Sequence, residues 1–354
     1  LPKQIRHIAI IRLSAMGDVA MTVPVILALA HQHPEVKITV VSRIFFRPFF
    51  KNIPNVDFFP AHVHHEHKGL LGLFRLYKDL KSKGITEIAD LHNVLRSKVI
   101  RTLFVFSGIK TAFVDKGRAE KAALTRSENK IFKQLPTMFE RHAKVFEQLG
   151  FPVDLTDKDY GSAFLKKQDL DLETIRLIGE FPKPSGIKWI GIAPFAQYDS
   201  KVYPLDLMQE VIDELAKTKR YRILLFGGGK KEKELLDSLS KGKENVINIA
   251  GKINFKQELQ LISNLEVMLS MDSGNAHIAA MFGLKVITLW GATHPFAGFL
   301  PFNQPMENAL VSDRNLFPKI PTSVYGNKKV MGYEDAMRTI PVEKIVSKIQ
   351  EQLS

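Results

Sequence analysis

Short apolar strands and amphipathic helices alternate along this chain, and the alternation runs through twice. A helix between two strands returns the chain to the same end of a sheet, so this rhythm predicts parallel sheets covered by helices. In the first pass strands are expected at 7–13, 37–41, 87–91 and 111–114, with helices at 24–31, 70–83 and 139–149, the last stopped by Gly150. Polar residues fill 154–171, a short helix fits 172–181, and the Pro- and Gly-rich stretch 182–186 reads as a linker. The second pass places strands at 189–193, 222–226, 246–248, 267–271 and 286–290. Its helices fall at 207–217, 232–240, 257–263 and 275–282, and 342–353 has helical periodicity. The expected architecture is α/β, with two Rossmann-like parallel-sheet domains facing each other across a cleft. Residues 1–160 form the first, 161–186 the linker and 187–335 the second, while a helix within 336–354 is expected to pack back towards the N-terminal domain. Ligands of such sheets sit beyond the carboxyl ends of the strands.

At 354 residues and 45% apolar content the chain can build roughly two ordinary cores. No apolar run approaches the roughly 20 residues that span a bilayer, and the N-terminus enters a strand with no room for a signal peptide, so a cytoplasmic protein is expected. The absence of cysteine excludes disulfides, thiolate metal sites and cysteine nucleophiles. The net charge of +13 is uneven: residues 1–160 hold 25 Lys and Arg against 15 Asp and Glu, whereas 161–354 hold 25 against 22. Residues 92–144 are the most basic stretch and favour an anionic partner, with Arg96, Lys98 and Arg118 as candidate contacts. They lack the interleaved aromatics of a nucleic-acid surface, so no nucleic-acid partner is expected.

Two strand-to-helix turns carry the candidate chemistry. The buried run 267–271 leads into Asp272-Ser273-Gly274-Asn275-Ala276-His277, where a helix entered through Ser273 and Gly274 would aim free N–H groups at a phosphorylated ligand. Asp272 and Ser273 serve equally well as an N-cap, and His277 as a core histidine. After the first strand, Leu13-Ser14-Ala15-Met16-Gly17-Asp18 turns at a glycine and presents a carboxylate, which either meets a substrate or caps the following helix. Glu232, beyond Gly227-Gly228-Gly229, is a candidate ribose contact. The histidines His62, His64, His65 and His67 read as a solvated loop rather than a metal site. Phe45, Phe46, Phe49 and Phe50 are either core or a membrane-facing patch, with core the default.

Three segments taken together carry a resemblance: Arg12 to Val19 with Thr22-Val23-Pro24, Asp272 to Ala280, and Leu289-Trp290-Gly291-Ala292-Thr293-His294-Pro295. Over nearly the whole chain they resemble the lipopolysaccharide heptosyltransferase family. The resemblance implies a GT-B fold and inverting transfer of heptose from ADP-heptose to a lipopolysaccharide core, with no metal or other cofactor. It implies Asp18 as general base. It implies a donor site of Lys201, Asp272, Ser273, Gly274, His277 and Thr293. Tyr203 stands where the family usually has tryptophan, Ala292 where proline is commoner, and His294 where Asp or Ser is commoner. The basic first domain would then hold an anionic glycolipid acceptor, with peripheral contact at the inner membrane face. Alternatives are another nucleotide-sugar donor on the same fold, or a non-enzymatic module binding sugar nucleotides or glycans. The acid pairs Asp157/Asp159 and Asp169/Asp171 lie before the second domain, and Asp171 is expected to cap a helix rather than hold a metal.

Overall fold

The computed structural model describes residues 6–51, 53–156, 164–179 and 185–354. Asp157, Asp159 and most of the 182–186 linker lie outside the described residues. The chain divides into two compact units, one of residues 1–118 and 136–165, the other of 119–135 and 166–354.

The first half runs through β1 (His7–Ile11), α1 (Met16–Ala20), α2 (Thr22–Gln32), β2 (Lys37–Ser42), β3 (Val56–Pro60), α3 (Gly69–Lys81), β4 (Glu87–Asp90), α4 (Leu95–Phe106), β5 (Lys110–Phe113), α5 (Arg118–Thr125) and α6 (Met138–Leu149). Its five strands pair in parallel in the order β3-β2-β1-β4-β5. β1 is buried along its whole length, as a central strand covered on both faces must be. Ala9 and Ile11 pack with Leu73, Leu76 and Leu80 of α3 and with Ile100 and Phe104 of α4. α6 is bounded as its sequence dictates. Thr137 and Glu140 form a reciprocal capping box, and Gly150 closes the helix at φ 95°. Strand order reverses direction between β1 and β4, which opens a crevice beyond their carboxyl ends.

The second half holds α7 (Leu172–Ile178), β6 (Lys188–Ala193), α8 (Leu205–Ala216), β7 (Tyr221–Leu225), α9 (Gly229–Ser240), β8 (Val246–Asn248), α10 (Phe255–Ile262), β9 (Val267–Met271), α11 (Gly274–Ala280), β10 (Lys285–Trp290), β11 (Ala309–Val311) and α12 (Val342–Leu353). The strands form a six-stranded parallel sheet ordered β11-β10-β9-β6-β7-β8, with its reversal between β6 and β9. The buried faces of β6, β9 and β10 meet Met208, Val211, Ile212 and Leu215 of α8.

The structure departs from the expected domain plan in three places. Ile345 and Ile349 of α12 belong to the second unit's core, so this helix packs on its own sheet and not back towards the N-terminal domain. Its amphipathic stripe shows that it packs, but not on what. Residues 119–135, placed with the first domain by chain order, belong to the second unit: Leu124 and Leu135 are buried with Ala297, and Phe132 packs on the Phe296 ring at 4.8 Å. Part of the expected linker is also structure of the second unit. Asp171 caps α7 by accepting from the Thr174 N–H at 2.9 Å, and both Asp171 and Glu173 accept from the Gln257 amide.

Candidate active site

In the second unit the turn after β9 places Asp272 beside the loop that follows β6. Its carboxylate does not cap α11. Asp272 Oδ2 instead meets Lys201 Nζ at 2.9 Å and accepts from Thr293 Oγ1 at 2.8 Å. Both partners are held from behind. The Lys201 loop is fixed by the Ser200 carbonyl, which accepts from Ala292 N–H at 3.0 Å, and by Ser200 Oγ, which donates to the Gly326 carbonyl at 2.6 Å. Gly291 is required by that approach, since a Cβ there would overlap the Ser200 carbonyl oxygen. Gly326, at φ +82°, supports the lysine stem; a Cβ would come within 2.6 Å of Lys201 Cγ and Cδ. The Lys201 side chain remains 13% exposed. It is a cation anchored by one carboxylate, with further N–H donors to offer.

Tyr203, in place of the family's tryptophan, is fully buried and donates from its hydroxyl to the Ile340 carbonyl at 2.7 Å. Burial pushes its pKa up to about 12. The substitution is therefore satisfied within the core. His294 has a structural task as well: its Nδ1 accepts from Phe296 N–H at 3.1 Å and caps the 3-10 turn Pro295–Ala297. Burial, then the nearby Arg314 charge, lowers its pKa to about 4. Ser273 begins α11 without a side-chain cap bond and lies 3.1 Å from Ser270 Oγ, while His277 is buried in the second turn. Glu232 accepts from the Gly228 N–H at 2.7 Å and so closes the glycine turn ahead of α9.

In the first unit Asp18 lies in α1 beyond the carboxyl end of β1. Its Oδ2 accepts from the Ala15 N–H at 3.2 Å, so Asp18 caps α1, the short helix it lies in, and not the helix expected at 24–31. The same oxygen pairs with Arg12 Nη2 at 2.7 Å, and the carboxylate is 34% exposed. Arg12 is buried and donates from Nη1 to the Leu91 carbonyl at 2.7 Å, which ties the end of β1 to the end of β4 across the reversal point. His92 follows β4; burial, then Arg12 and Lys116, push its pKa down to about 3, leaving a neutral imidazole. The Lys116 ammonium is itself lowered by burial and by Arg12 and Arg118. Asp90 takes the His92 and Asn93 N–H groups and pairs with Arg101 at 3.0 Å.

Arg12, His92 and Lys116 are the site residues that the sequence left without a role. The available signals were the arginine at the end of β1 and the two segments leaving β4 and β5. Of the expected acceptor contacts, Arg96 and Arg118 act electrostatically on His92 and Lys116. Lys98 lies two residues beyond Arg96 on α4, about 200° around the helix, so it faces elsewhere.

The remaining candidates resolve locally. Phe46, Phe49 and Phe50 are buried, and only Phe45 of that group is exposed. His67 is buried, its Nδ1 accepting from His62 N–H at 2.9 Å and its Nε2 lying 3.3 Å from Asp79, so the histidine loop is more ordered than a solvated stretch. Among the described residues no three His, Asp or Glu side chains are grouped as a metal site would need.

Solved structures place the fold. The crystal structure of the glycosyl transferase family 9 protein from Veillonella parvula matches with a TM-score of 0.73 at 19% identity, covering 100% of this chain and 98% of that one. Escherichia coli heptosyltransferase WaaC with ADP matches at 0.68 and 19% identity, covering 98% and 99%. Two doubly wound parallel sheets of this kind are the GT-B fold of nucleotide-sugar glycosyltransferases. Among sequences, the lipopolysaccharide core heptosyltransferase OpsX of Haemophilus influenzae is 24% identical over 98% of this chain and 96% of its own length. Lipooligosaccharide heptosyltransferase 2 of the same organism is 27% identical over 98% and 99%. Residues 73–320 match the model of glycosyltransferase family 9 (heptosyltransferase), and the chain belongs to that family.

Proposed function

We propose that this glycosyltransferase moves a heptose from ADP-heptose to the lipopolysaccharide core, with inversion and without a metal. The observation that carries the donor half is the buried Lys201–Asp272–Thr293 group at the strand-order reversal of the second sheet. Asp272, itself fixed by the Thr293 hydroxyl, holds the ammonium in place, and the remaining donors of Lys201 neutralise the diphosphate as the anomeric bond breaks. The backbone N–H groups at the start of α11 add to this potential. The ADP then leaves with the bonding electron pair.

The acceptor half rests on Asp18. Its carboxylate accepts the proton of the attacking hydroxyl as the new C–O bond forms on the opposite face of the sugar. Arg12 orients the carboxylate, while Arg12, Lys116, Arg96 and Arg118 give this end of the first sheet the positive potential that an anionic glycolipid requires. In keeping with that acceptor, the protein works at the inner face of the inner membrane. No described helix is long and apolar enough to cross a membrane, so contact there would be peripheral. Mass spectrometry of a reaction offering several nucleotide sugars and a heptose-deficient core acceptor tests the reading. A mass increment of one heptose from ADP-heptose alone supports it. Transfer of a different sugar favours the other-donor alternative.

A further inference from the structure

We propose that the outward face of α3, with the first turn of α4, is the surface that seats the first unit on an anionic lipid bilayer. The inference rests on the reading of the acceptor as a membrane glycolipid and names the part of the chain that meets the membrane. α3 is two-faced. Leu73, Leu76 and Leu80 are buried in the core, while Leu70 is 74% exposed, Leu71 88% and Phe74 43%. At about 100° per residue, these three fall in one arc together with the exposed Arg75 and Lys78. Lys78 Nζ lies 4.8 Å from the centre of the Phe74 ring, so the basic head sits directly over apolar surface. Single exposed apolar residues are ordinary. Three within two turns, flanked by basic groups, have the composition of an interfacial helix.

The helix is held to present that face. Gly72 lets the backbone of His67 lie against it, and His67 Nε2 reaches Asp79 at 3.3 Å. Topology then fixes where the face lies. In a parallel sheet each connecting helix starts at the carboxyl end of the strand before it, so the starts of α3 and α4 share the edge that carries Asp18, Arg12 and His92. The first turn of α4 adds Leu95, 79% exposed, beside the exposed Arg96. An apolar and basic patch on the edge that carries Asp18 suits a lipid surface whose headgroups are negative and whose glycan must reach that edge. Charge complementarity selects anionic lipid over a neutral surface.

Co-sedimentation of the full chain with phosphatidylglycerol-containing vesicles and with pure phosphatidylcholine vesicles tests the proposal, with no donor or acceptor present. Binding is expected to the former, and to weaken as salt rises. The double variant Leu70→Gln, Leu71→Gln should lower the partition coefficient at least about tenfold, and Arg75→Glu with Lys78→Glu should remove the preference for anionic vesicles. Unchanged melting temperature and ADP affinity show that each variant is folded. Turnover on a detergent-dispersed acceptor should stay at the wild-type level, and loss of activity there in the wild type would count against the functional reading rather than this surface. Wild-type protein that ignores both vesicles, or variants that bind as it does, would overturn the proposal. So would variants that change only the oligomeric state, which would identify a second copy as the occupant.

Discussion

Lys201 and Asp272 are both largely withdrawn from water, and each ion loses hydration worth several kcal/mol that their pairing and the Thr293 hydroxyl must offset. Removing one member leaves the other charge without its partner. Lys201→Ala is therefore expected to weaken ADP binding roughly tenfold or more, and Asp272→Ala to do the same by releasing the lysine, both read by calorimetry. Unchanged affinity in both would move the donor site elsewhere. Asp18→Asn keeps the bond from Ala15 N–H but removes the proton acceptor, so turnover should fall roughly 100-fold or more while ADP affinity holds. Gly291→Ala tests the backing of the lysine loop: the methyl group meets a carbonyl that cannot swing away, with an expected cost of about 1–3 kcal/mol in thermal unfolding together with weaker ADP binding. Arg12, by contrast, stands in the sequence only as an arginine ending a strand, and its role shows once β4 is known to lie beside it.

Elements were legible where the pattern was long or punctuated. α6 was readable to within a residue because Gly150 ends it, and α12 because its periodicity is uninterrupted. β3 and β11 were not, the first being a short edge strand ending in proline and the second a three-residue strand running straight on from the 3-10 turn Met306–Asn308. α4 was hidden inside a stretch read for its charge. The segment 119–135 was beyond local reading altogether, since the residues that bury Leu124, Phe132 and Leu135 lie about 160–175 positions further along the chain. Arg314 stacks on Phe132 at 3.5 Å, and Lys130 Nζ donates to the Pro321 carbonyl at 2.7 Å. Phe132→Ala should accordingly destabilise the second unit by about 3 kcal/mol or more.

His294 gives this region a pH signature. Its pKa is depressed in the folded state, so between about 6.5 and about 4 the unfolded chain binds a proton that the folded chain does not, and stability falls on acidification. Glu258, raised to about 7 by burial, acts in the opposite sense, so the informative quantity is the difference between variants. His294→Asn should lose less stability than the wild type from pH 6.5 to 4.5. Parallel pH profiles would show that the buried imidazole is not the cause.

At the scale of the molecule, the repeated strand–helix rhythm was sufficient to anticipate two parallel-sheet units, because each crossover leaves little choice of topology. It could not assign segments that leave one unit and pack on the other, nor the side on which α12 lies. The functional logic divides along the same line, with a caged cation at the reversal point of one sheet and a carboxylate at that of the other. With Lys201 and the start of α11 placed to neutralise the diphosphate, the proposed transfer needs no divalent ion. The most direct test is transfer from ADP-heptose to a heptose-deficient core acceptor in excess EDTA, followed by mass spectrometry. A single added heptose is expected at close to the untreated rate, falling roughly 100-fold or more in Asp18→Asn. Activity abolished by EDTA and restored by magnesium or manganese, or full activity in Asp18→Asn, would contradict it.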